Sequence, residues 1–247
     1  MTTAPGRRPG AGASARRIDE TARAAERTAQ HRRAKVALPV AAIVAALVGY
    51  AAATVTVWQV GLLLAVGIVG YGARQIYRRT PTSWAKGAVG EEATARLLAP
   101  LARRGYAVLH DRAIPGSRAN LDHLVAGPAG VSYVDSKAWL SAKSKLRVEG
   151  GTLWYGRYNQ REALRKVVWE AEQAARALGV EVRPFVAVHG AKVPGPRGRI
   201  EVQGVTIVAA KKLPRLLQNL MPQPGWTADR ITAVEQLAEQ RLPPHGS

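Results

Sequence analysis

Two aspartates and one lysine lie where the sequence predicts buried strands. Asp122 falls within the strand-like run Leu121–Val125, and Asp135 follows the run Val131–Val134. Lys137 lies two residues after Asp135, and because side chains alternate along a strand, both point to the same face. The two strands are expected to pair as a hairpin, and two neighbouring carboxylates repel each other unless a cation lies between them. The pattern therefore predicts a site for Mg²⁺ or Mn²⁺, which prefer oxygen ligands.

Such a group of side chains has the chemistry that metal-assisted phosphodiester hydrolysis requires. The metal ion polarises a phosphoryl oxygen and lowers the pKa of a bound water. Lys137 can position or deprotonate that water, and it can stabilise the developing negative charge. Glu91, expected at the start of a helix, is either a third oxygen ligand or a neighbour that supports the ligands.

A mixed sheet covered by helices is expected to position these groups. Apolar spacing predicts a helix over 87–104, and the turn Gly127–Gly130 predicts the hairpin that carries both aspartates. The other expected elements are strands at 106–110, 184–189 and 205–209, a small hairpin over 146–155, and helices at 161–178, 213–220 and 228–241. This order predicts an α/β chain with a mixed, α+β type of sheet.

Three short motifs resemble the nuclease-related domain (NERD) family. They are Gly87–Glu91, Asn120–His123 and Val134–Lys137, in that order along the chain. That family is considered similar to the PD-(D/E)-x-K nucleases, so the resemblance implies a restriction-endonuclease-like core over about residues 84–190. It further implies metal-binding and catalytic roles for Glu91, Asp122 and Asp135, and a catalytic role for Lys137.

The motifs depart from the wider nuclease pattern at two positions. Leu121 stands where Pro often precedes the first aspartate, which matters little because that Pro is often absent. Asp135 replaces the commoner Glu, and its shorter side chain would shift the metal by about one methylene group.

Each of the four residues also has a purely structural interpretation. Asp135 and Lys137 would then be a surface ion pair, which contributes little to stability. Asp122 would be a turn or capping acid, and Glu91 would favour a helix N-terminus electrostatically. His123 is expected to face away from Asp122 as a packed histidine.

Basic and aromatic side chains are interleaved after Lys137. This mixture suits a phosphate backbone with bases stacked nearby, and it equally suits anionic lipid headgroups. The predicted nucleic-acid contacts are Lys143, Lys145, Arg147, Arg157 and Arg161, with Trp139, Trp154, Tyr155 and Tyr158 among them.

Composition narrows the class of protein. The chain has 247 residues, with 36 Lys and Arg against 17 Asp and Glu, for a formal net charge of +19. This charge favours a polyanionic partner, and the 47% of apolar residues excludes a wholly disordered chain. Because the chain has no Cys, disulfides, thiolate zinc sites and a cysteine nucleophile are excluded.

An uncharged segment precedes the expected domain. Residues 36–73 are 38 positions without a charged side chain, and one helix of that length would be ~57 Å long, against a hydrocarbon layer of ~30 Å. Two transmembrane helices, at about 37–54 and 58–76, fit better. Basic residues at both ends predict a multi-pass cell-membrane protein with both termini in the cytoplasm. A buried hairpin of a soluble protein is the alternative.

The chain is thus expected to have four parts. Residues 1–35 form a basic, partly disordered cytoplasmic segment. Its charge either binds anionic lipid or only sets the orientation of the chain in the membrane. Residues 36–76 enter the bilayer. Residues 84–190 form the nuclease-like domain, which 191–247 complete. The expected function is Mg²⁺-dependent hydrolysis of DNA or RNA at the membrane; the alternative is an inactive nucleic-acid-binding or scaffolding module.

Overall fold

The computed structural model of the protein describes residues 13–55, 58–77, 83–141 and 144–245. Contacts within the chain divide it into two compact units. Residues 17–82 form one unit, and the residues from Ser83 onward belong to the other. The expectation of disorder near the N-terminus falls mostly on residues 1–12, which lie outside the described residues.

The first unit is a pair of helices, α1 (Ala13–Val55) and α2 (Trp58–Tyr77). These bounds agree with the two helices expected at about 37–54 and 58–76, although α1 begins earlier in the chain. A Cβ added at Gly61 would overlap the carbonyl oxygen of Gly49, so the two backbones are in close contact there. Among the described residues, one helical segment, Ala34–Thr54, is long and apolar enough to cross a bilayer. The helix pair is therefore confirmed, while two membrane crossings stay a prediction.

The second unit contains four helices and nine strands among the described residues. The helices are α3 (Ser83–Ala102), α4 (Arg161–Leu178), α5 (Leu213–Gln218) and α6 (Ala228–Arg241). The strands are β1 (Ala107–Ala113), β2 (Asn120–Gly127), β3 (Gly130–Trp139), β4 (Leu146–Glu149), β5 (Thr152–Tyr155), β6 (Tyr158–Asn159), β7 (Val182–Gly190), β8 (Arg199–Val202) and β9 (Val205–Ala209). Short 3₁₀ helices occupy Pro196–Gly198 and Ala210–Lys212.

Six strands form one mixed sheet, in the order β1-β2-β3-β7-β9-β8. Strands β1, β2 and β3 are antiparallel neighbours, whereas β3, β7 and β9 run parallel, and β8 returns antiparallel at the edge. Strands β4, β5 and β6 form a separate small sheet. The mixed sheet with its helices confirms the predicted fold class and is consistent with a nuclease-like core.

Helices cover both faces of the large sheet. On one face, Leu164 and Val167 of α4 belong to the same buried cluster as Tyr133 of β3 and Val186 of β7. On the other face, Leu98 and Leu101 of α3 join Val134, Phe185 and Leu213. Burial on both faces explains why β3 and β7 read as near-continuous apolar runs in the sequence.

Strands β6 and β8 were not expected. Strand β8 pairs with β9 through a two-residue turn at Gln203 and Gly204, whose φ angles are 54° and 75°. Two successive positive φ values are typical of the hairpin turn that Asn-Gly usually signals, and Gln-Gly is a weaker signal for it. Both missed strands are at most four residues long, which is too short for a pattern of alternation to stand out.

The close approach at Gly127 leads to a prediction about stability. A Cβ at this position would overlap the ring of Tyr106, so Gly127→Ala should lower the free energy of unfolding by ~1–3 kcal/mol. Gly87→Ala is the matched control, because nothing lies within 4 Å of a Cβ there and Ala favours a helix by ~0.5–1 kcal/mol over Gly. Thermal unfolding of both variants measures this, and equal stabilities would contradict the packing.

Candidate functional site

The site lies where the ladder between β2 and β3 ends. The last backbone pair of this ladder is His123 with Val134, so Asp122 and Asp135 are the next residues along the two strands. Beyond that pair, the backbone N–H of Ser136 donates to Asp122 Oδ2 at 2.8 Å. A side-chain carboxylate thus takes the place of a strand carbonyl, and the predicted meeting of the two aspartates is observed. Asp122 lies within a strand and is not a turn or capping acid.

Lys137 forms an ion pair with Asp135. Its Nζ donates to Asp135 Oδ1 at 2.7 Å, as the predicted side-chain alternation requires. The interpretation as a surface ion pair is wrong, since β3 is an interior strand and the Asp135 side chain is only 7% exposed. Burying an ion pair costs desolvation energy, so the pair adds little to the stability of the fold. Buried charged groups of this kind are common at functional sites.

Glu91 lies in the middle of α3. The helix begins at Ser83, so the prediction that Glu91 starts a helix is wrong, and a helix-dipole role is excluded because that effect fades beyond the first turn. Burial, followed by the charges of Asp111 and Asp135, raises the pKa of Glu91 from 4.5 to about 7. Its carboxyl group therefore belongs to the same electrostatic cluster as the aspartates.

The same cluster raises the pKa of both Asp122 and Lys137, which favours the neutral form of Asp122 and the charged form of Lys137. Burial and the negative charges of Asp135 and Glu91 raise the pKa of Asp122 well above its usual value. For Lys137, burial alone would lower the pKa, but the neighbouring carboxylates of Asp135 and Asp122 outweigh it and raise the pKa. Lys137 thus remains an ammonium group at neutral pH.

One carboxylate oxygen of the site lacks a partner. Asp135 Oδ2 is buried and has no hydrogen-bond partner in the part of the chain that the structure describes. A buried charged oxygen without a partner is unfavourable, and a divalent cation would satisfy it. However, no three Asp, Glu or His side chains among the described residues are grouped closely enough to hold a metal ion. The chemistry of the donors fits Mg²⁺ or Mn²⁺, and the metal-ligand assignments stay predictions.

Asp111 belongs to this cluster and was not assigned a role from the sequence. It is fully buried on β1, with a φ of 49°, a backbone conformation that few residues other than Gly adopt. Asn120 Nδ2 donates to its Oδ1 at 2.8 Å. No pattern in the sequence marks Asp111, because the irregular φ sets the direction of its side chain.

The expected nucleic-acid contacts divide into two groups. Lys145, Arg157 and Arg161 are exposed, and Arg157 lies over the ring of Tyr158, which is itself 60% exposed. Arg147 instead contacts Glu149, the Gly156 carbonyl and the Trp154 ring, so its charge is engaged within the small sheet. Lys143 lies outside the described residues.

The small sheet is attached to the end of β3. Tyr155 stacks on Trp139 with ring centroids 5.2 Å apart, and the backbone N–H of Ser141 donates to the Tyr155 hydroxyl at 2.9 Å. Since Trp139 is two residues from Lys137, these contacts attach the small sheet, with Lys145 and Arg157 beside its strands, to the part of β3 that follows the ion pair.

Comparison with known proteins supports the resemblance seen in the motifs. Residues 86–193 match the family model described as the nuclease-related domain. This range contains Glu91, Asp122, Asp135 and Lys137. No curated protein and no solved structure gives a significant match.

The raised pKa of Glu91 leads to a prediction about stability in the absence of divalent ions. The pKa of Glu91 is about 7 in the folded state, against its ordinary value of 4.5 in the unfolded state. Between these two pH values the folded state therefore binds more protons than the unfolded state. Stability contributed by the protonated form is therefore lost as pH rises from about 4.5 to 7. Because Gln does not ionise, Glu91→Gln should remove part of this loss in the free energy of unfolding, by up to ~3 kcal/mol at pH 8.

Chemical unfolding in EDTA at pH 5 and pH 8 measures the effect. Glu162→Gln, an exposed change on α4, is the matched control and should leave the pH dependence as in the wild type. If Glu91→Gln is equally destabilising at both pH values, Glu91 does not titrate in this way.

Proposed function

We propose that the protein is a membrane-anchored nuclease that hydrolyses phosphodiester bonds in DNA or RNA with a divalent metal ion, because residues 86–193 match the family model of the nuclease-related domain. The observation that carries this proposal is the meeting of Asp122, Asp135 and Lys137 at one point of the sheet. The family match supports a nuclease-like function, and the carboxylate donors support the proposed metal requirement.

Mg²⁺ or Mn²⁺, when bound, supplies Lewis-acid polarisation of the phosphoryl group and a water of lowered pKa. Asp122 and Asp135 would hold the ion, with Asp135 Oδ2 as the oxygen that lacks another partner and Glu91 as a third donor. The raised pKa of Lys137 favours a role as a fixed positive charge beside the reacting phosphate over a role as a general base.

The exposed basic residues are the proposed contacts for the nucleic-acid backbone. Lys145, Arg157 and Arg161 would neutralise phosphates, and the exposed ring of Tyr158 offers a surface on which a base can stack. The same cations would also attract anionic headgroups if this surface faced a bilayer. Salt-dependent binding to nucleic acid in the absence of lipid distinguishes the two.

A non-catalytic binding module is the second candidate. It is favoured by the finding that, in the described ranges, no three acidic or histidine side chains are already grouped as metal ligands. A domain of this kind would retain the basic surface and bind nucleic acid without cleaving it.

The first functional prediction concerns cleavage. Full-length protein in detergent micelles should nick plasmid DNA or cleave RNA in the presence of Mg²⁺, and EDTA should stop this cleavage. Asp122→Asn and Lys137→Met should each reduce the rate by ~10²-fold or more, because a metal donor or the fixed positive charge is lost. Gel electrophoresis of the products measures the rate.

The controls are Glu201→Gln on the edge strand β8 and Lys211→Met after β9, which alter exposed residues outside the candidate site and outside the proposed nucleic-acid contacts, and which should cleave like the wild type. Binding of nucleic acid without cleavage at any concentration of Mg²⁺ or Mn²⁺ would support the binding module. Cleavage that survives both site substitutions would show that the reaction occurs elsewhere.

The second functional prediction concerns topology. We propose that α1 and α2 cross the cell membrane as a hairpin and leave both termini in the cytoplasm, because basic residues flank the apolar segment on both sides. A reporter enzyme that is active only in the cytoplasm should therefore be active when fused to the C-terminus. The same reporter placed between Val55 and Trp58 should be inactive; the reverse pattern would overturn this topology.

A further inference from the structure

A chain of hydrogen bonds runs through the second unit on the face of the sheet opposite Asp135. His110 Nδ1 lies 2.8 Å from His123 Nδ1, and His123 Nε2 lies 3.0 Å from Ser136 Oγ. Ser136 Oγ donates to Thr94 Oγ1 at 2.8 Å, and Thr94 Oγ1 lies 2.7 Å from His189 Nε2. The chain therefore joins β1, β2, β3, α3 and β7 through side chains alone.

The middle of this chain is buried, and its two ends are partly exposed residues. His123 and Thr94 are fully buried and Ser136 is 8% exposed, whereas His110 and His189 are half-buried. The Nδ1 atoms of His110 and His123 are 2.8 Å apart, so one of them must be an acceptor without a proton, and full burial favours the neutral form of His123. A neutral imidazole has one donor and one acceptor nitrogen, so the chain must have a direction.

The direction follows from the donors and acceptors available. Since Ser136 donates its hydroxyl proton to Thr94, the Ser136 oxygen accepts a hydrogen bond from His123 Nε2–H. His123 then has an acceptor at Nδ1, to which His110 donates from Nδ1–H. The predicted tautomers are thus Nδ1–H for His110 and Nε2–H for His123.

Both central hydroxyl residues also touch the candidate site. Ser136 lies between Asp135 and Lys137, and its backbone N–H holds the carboxylate of Asp122. Thr94 Oγ1 lies 3.1 Å from the carbonyl of Gly90, the residue before Glu91. A Cβ at Gly90 would lie 3.2 Å from the Cβ of Ala138, so α3 and β3 are in close contact at this end.

We propose that Thr94 and Ser136 are positioning residues, which hold the Glu91 turn of α3 and the Asp135–Lys137 stretch of β3 at a fixed separation through this chain. As a statement about catalysis, it rests on the proposed nuclease function. In the described part of the chain, the Thr94 hydroxyl bonds to Gly90, Ser136 and His189 and to none of the proposed metal donors. It acts through Gly90 on one side and through Ser136 on the other.

A fixed separation matters because the proposed metal donors come from different elements. Glu91 belongs to a helix and Asp122 and Asp135 to two strands, and helix and strands pack mainly through non-directional apolar contacts. A displacement of about 1 Å between reacting groups can reduce a rate ~10²-fold. Directional hydrogen bonds between Thr94, Ser136 and His123 prevent such sliding.

The test compares two substitutions of one residue. Thr94→Val keeps the side-chain shape and removes the hydroxyl, whereas Thr94→Ser keeps the hydroxyl. In full-length protein with saturating Mg²⁺, Thr94→Val should lower kcat for nucleic-acid cleavage about tenfold or more with KM unchanged. Thr94→Ser should stay within about threefold of the wild type. Ser132→Ala, a buried change on β3 outside the chain, is the control and should also stay near the wild type.

A second measurement does not depend on activity. Nuclear magnetic resonance of ¹⁵N-labelled protein should show the predicted histidine tautomers in the wild type. It should also show faster exchange of the Ser136 amide proton in Thr94→Val, but not in Thr94→Ser or Ser132→Ala, because the bond to Asp122 loosens. If Thr94→Val does not fold, as judged by thermal unfolding, His189→Asn, at the half-buried end of the chain, replaces it.

The outcomes separate the two proposals. Absence of cleavage by the wild type overturns the nuclease proposal, and the tautomers and amide exchange then decide the positioning proposal. If Thr94→Val and Thr94→Ser give the same kcat and the same Ser136 exchange, the positioning proposal is wrong. A higher KM with unchanged kcat in Thr94→Val would also overturn it, because that result indicates a role in substrate binding.

Discussion

The meeting of two carboxylates, Asp135 buried and Asp122 half-buried, within a mixed sheet is the constraint on which the site depends. Asp122 and Asp135 share one nearby ammonium group, that of Lys137, which bonds to only one of them. The remaining negative charge must be neutralised by a proton or by a cation. The raised pKa values of Asp122 and Glu91 show the first solution, and the unpartnered oxygen of Asp135 offers a position for the second. Proton release on metal binding is the expected link between these two states.

The topology of the sheet explains why the basic surface lies near this cluster. Strands β3 and β7 are parallel neighbours, so the chain must cross over between them before it can pair again. This crossover begins at the end of β3, just after the ion pair, and it contains the small sheet and α4. The stacking of Tyr155 on Trp139 fixes the small sheet at its starting point. The small sheet, which has Lys145 and Arg157 beside its strands, is therefore fixed to the end of β3 that follows the ion pair.

The strands and motifs of the site could be predicted because they follow from short-range rules. Alternation along β3 placed Asp135 and Lys137 on one face, and the glycine turn at Gly127–Gly130 predicted the hairpin with β2. The position of Glu91 within α3 was not predicted, because Gly87 disfavours a helix interior and suggested a later start, whereas the helix extends back to Ser83. Asp111 was missed because its role depends on one irregular φ, and the histidine chain because it joins residues up to 95 positions apart.

Ser136 shows how one strand can serve both faces of the sheet. Its backbone N–H bonds to Asp122, and its hydroxyl points to the opposite face and bonds to Thr94. The period of a strand makes this division strict, because a slip of one residue would exchange the two faces. Asp135 and Lys137 would then face α3, and Ser136 would face α4. The buried hydroxyl and imidazole groups on the α3 face therefore favour the same register as Asp122 and Asp135 on the other face, and each set of polar contacts stabilises the arrangement that the other set requires.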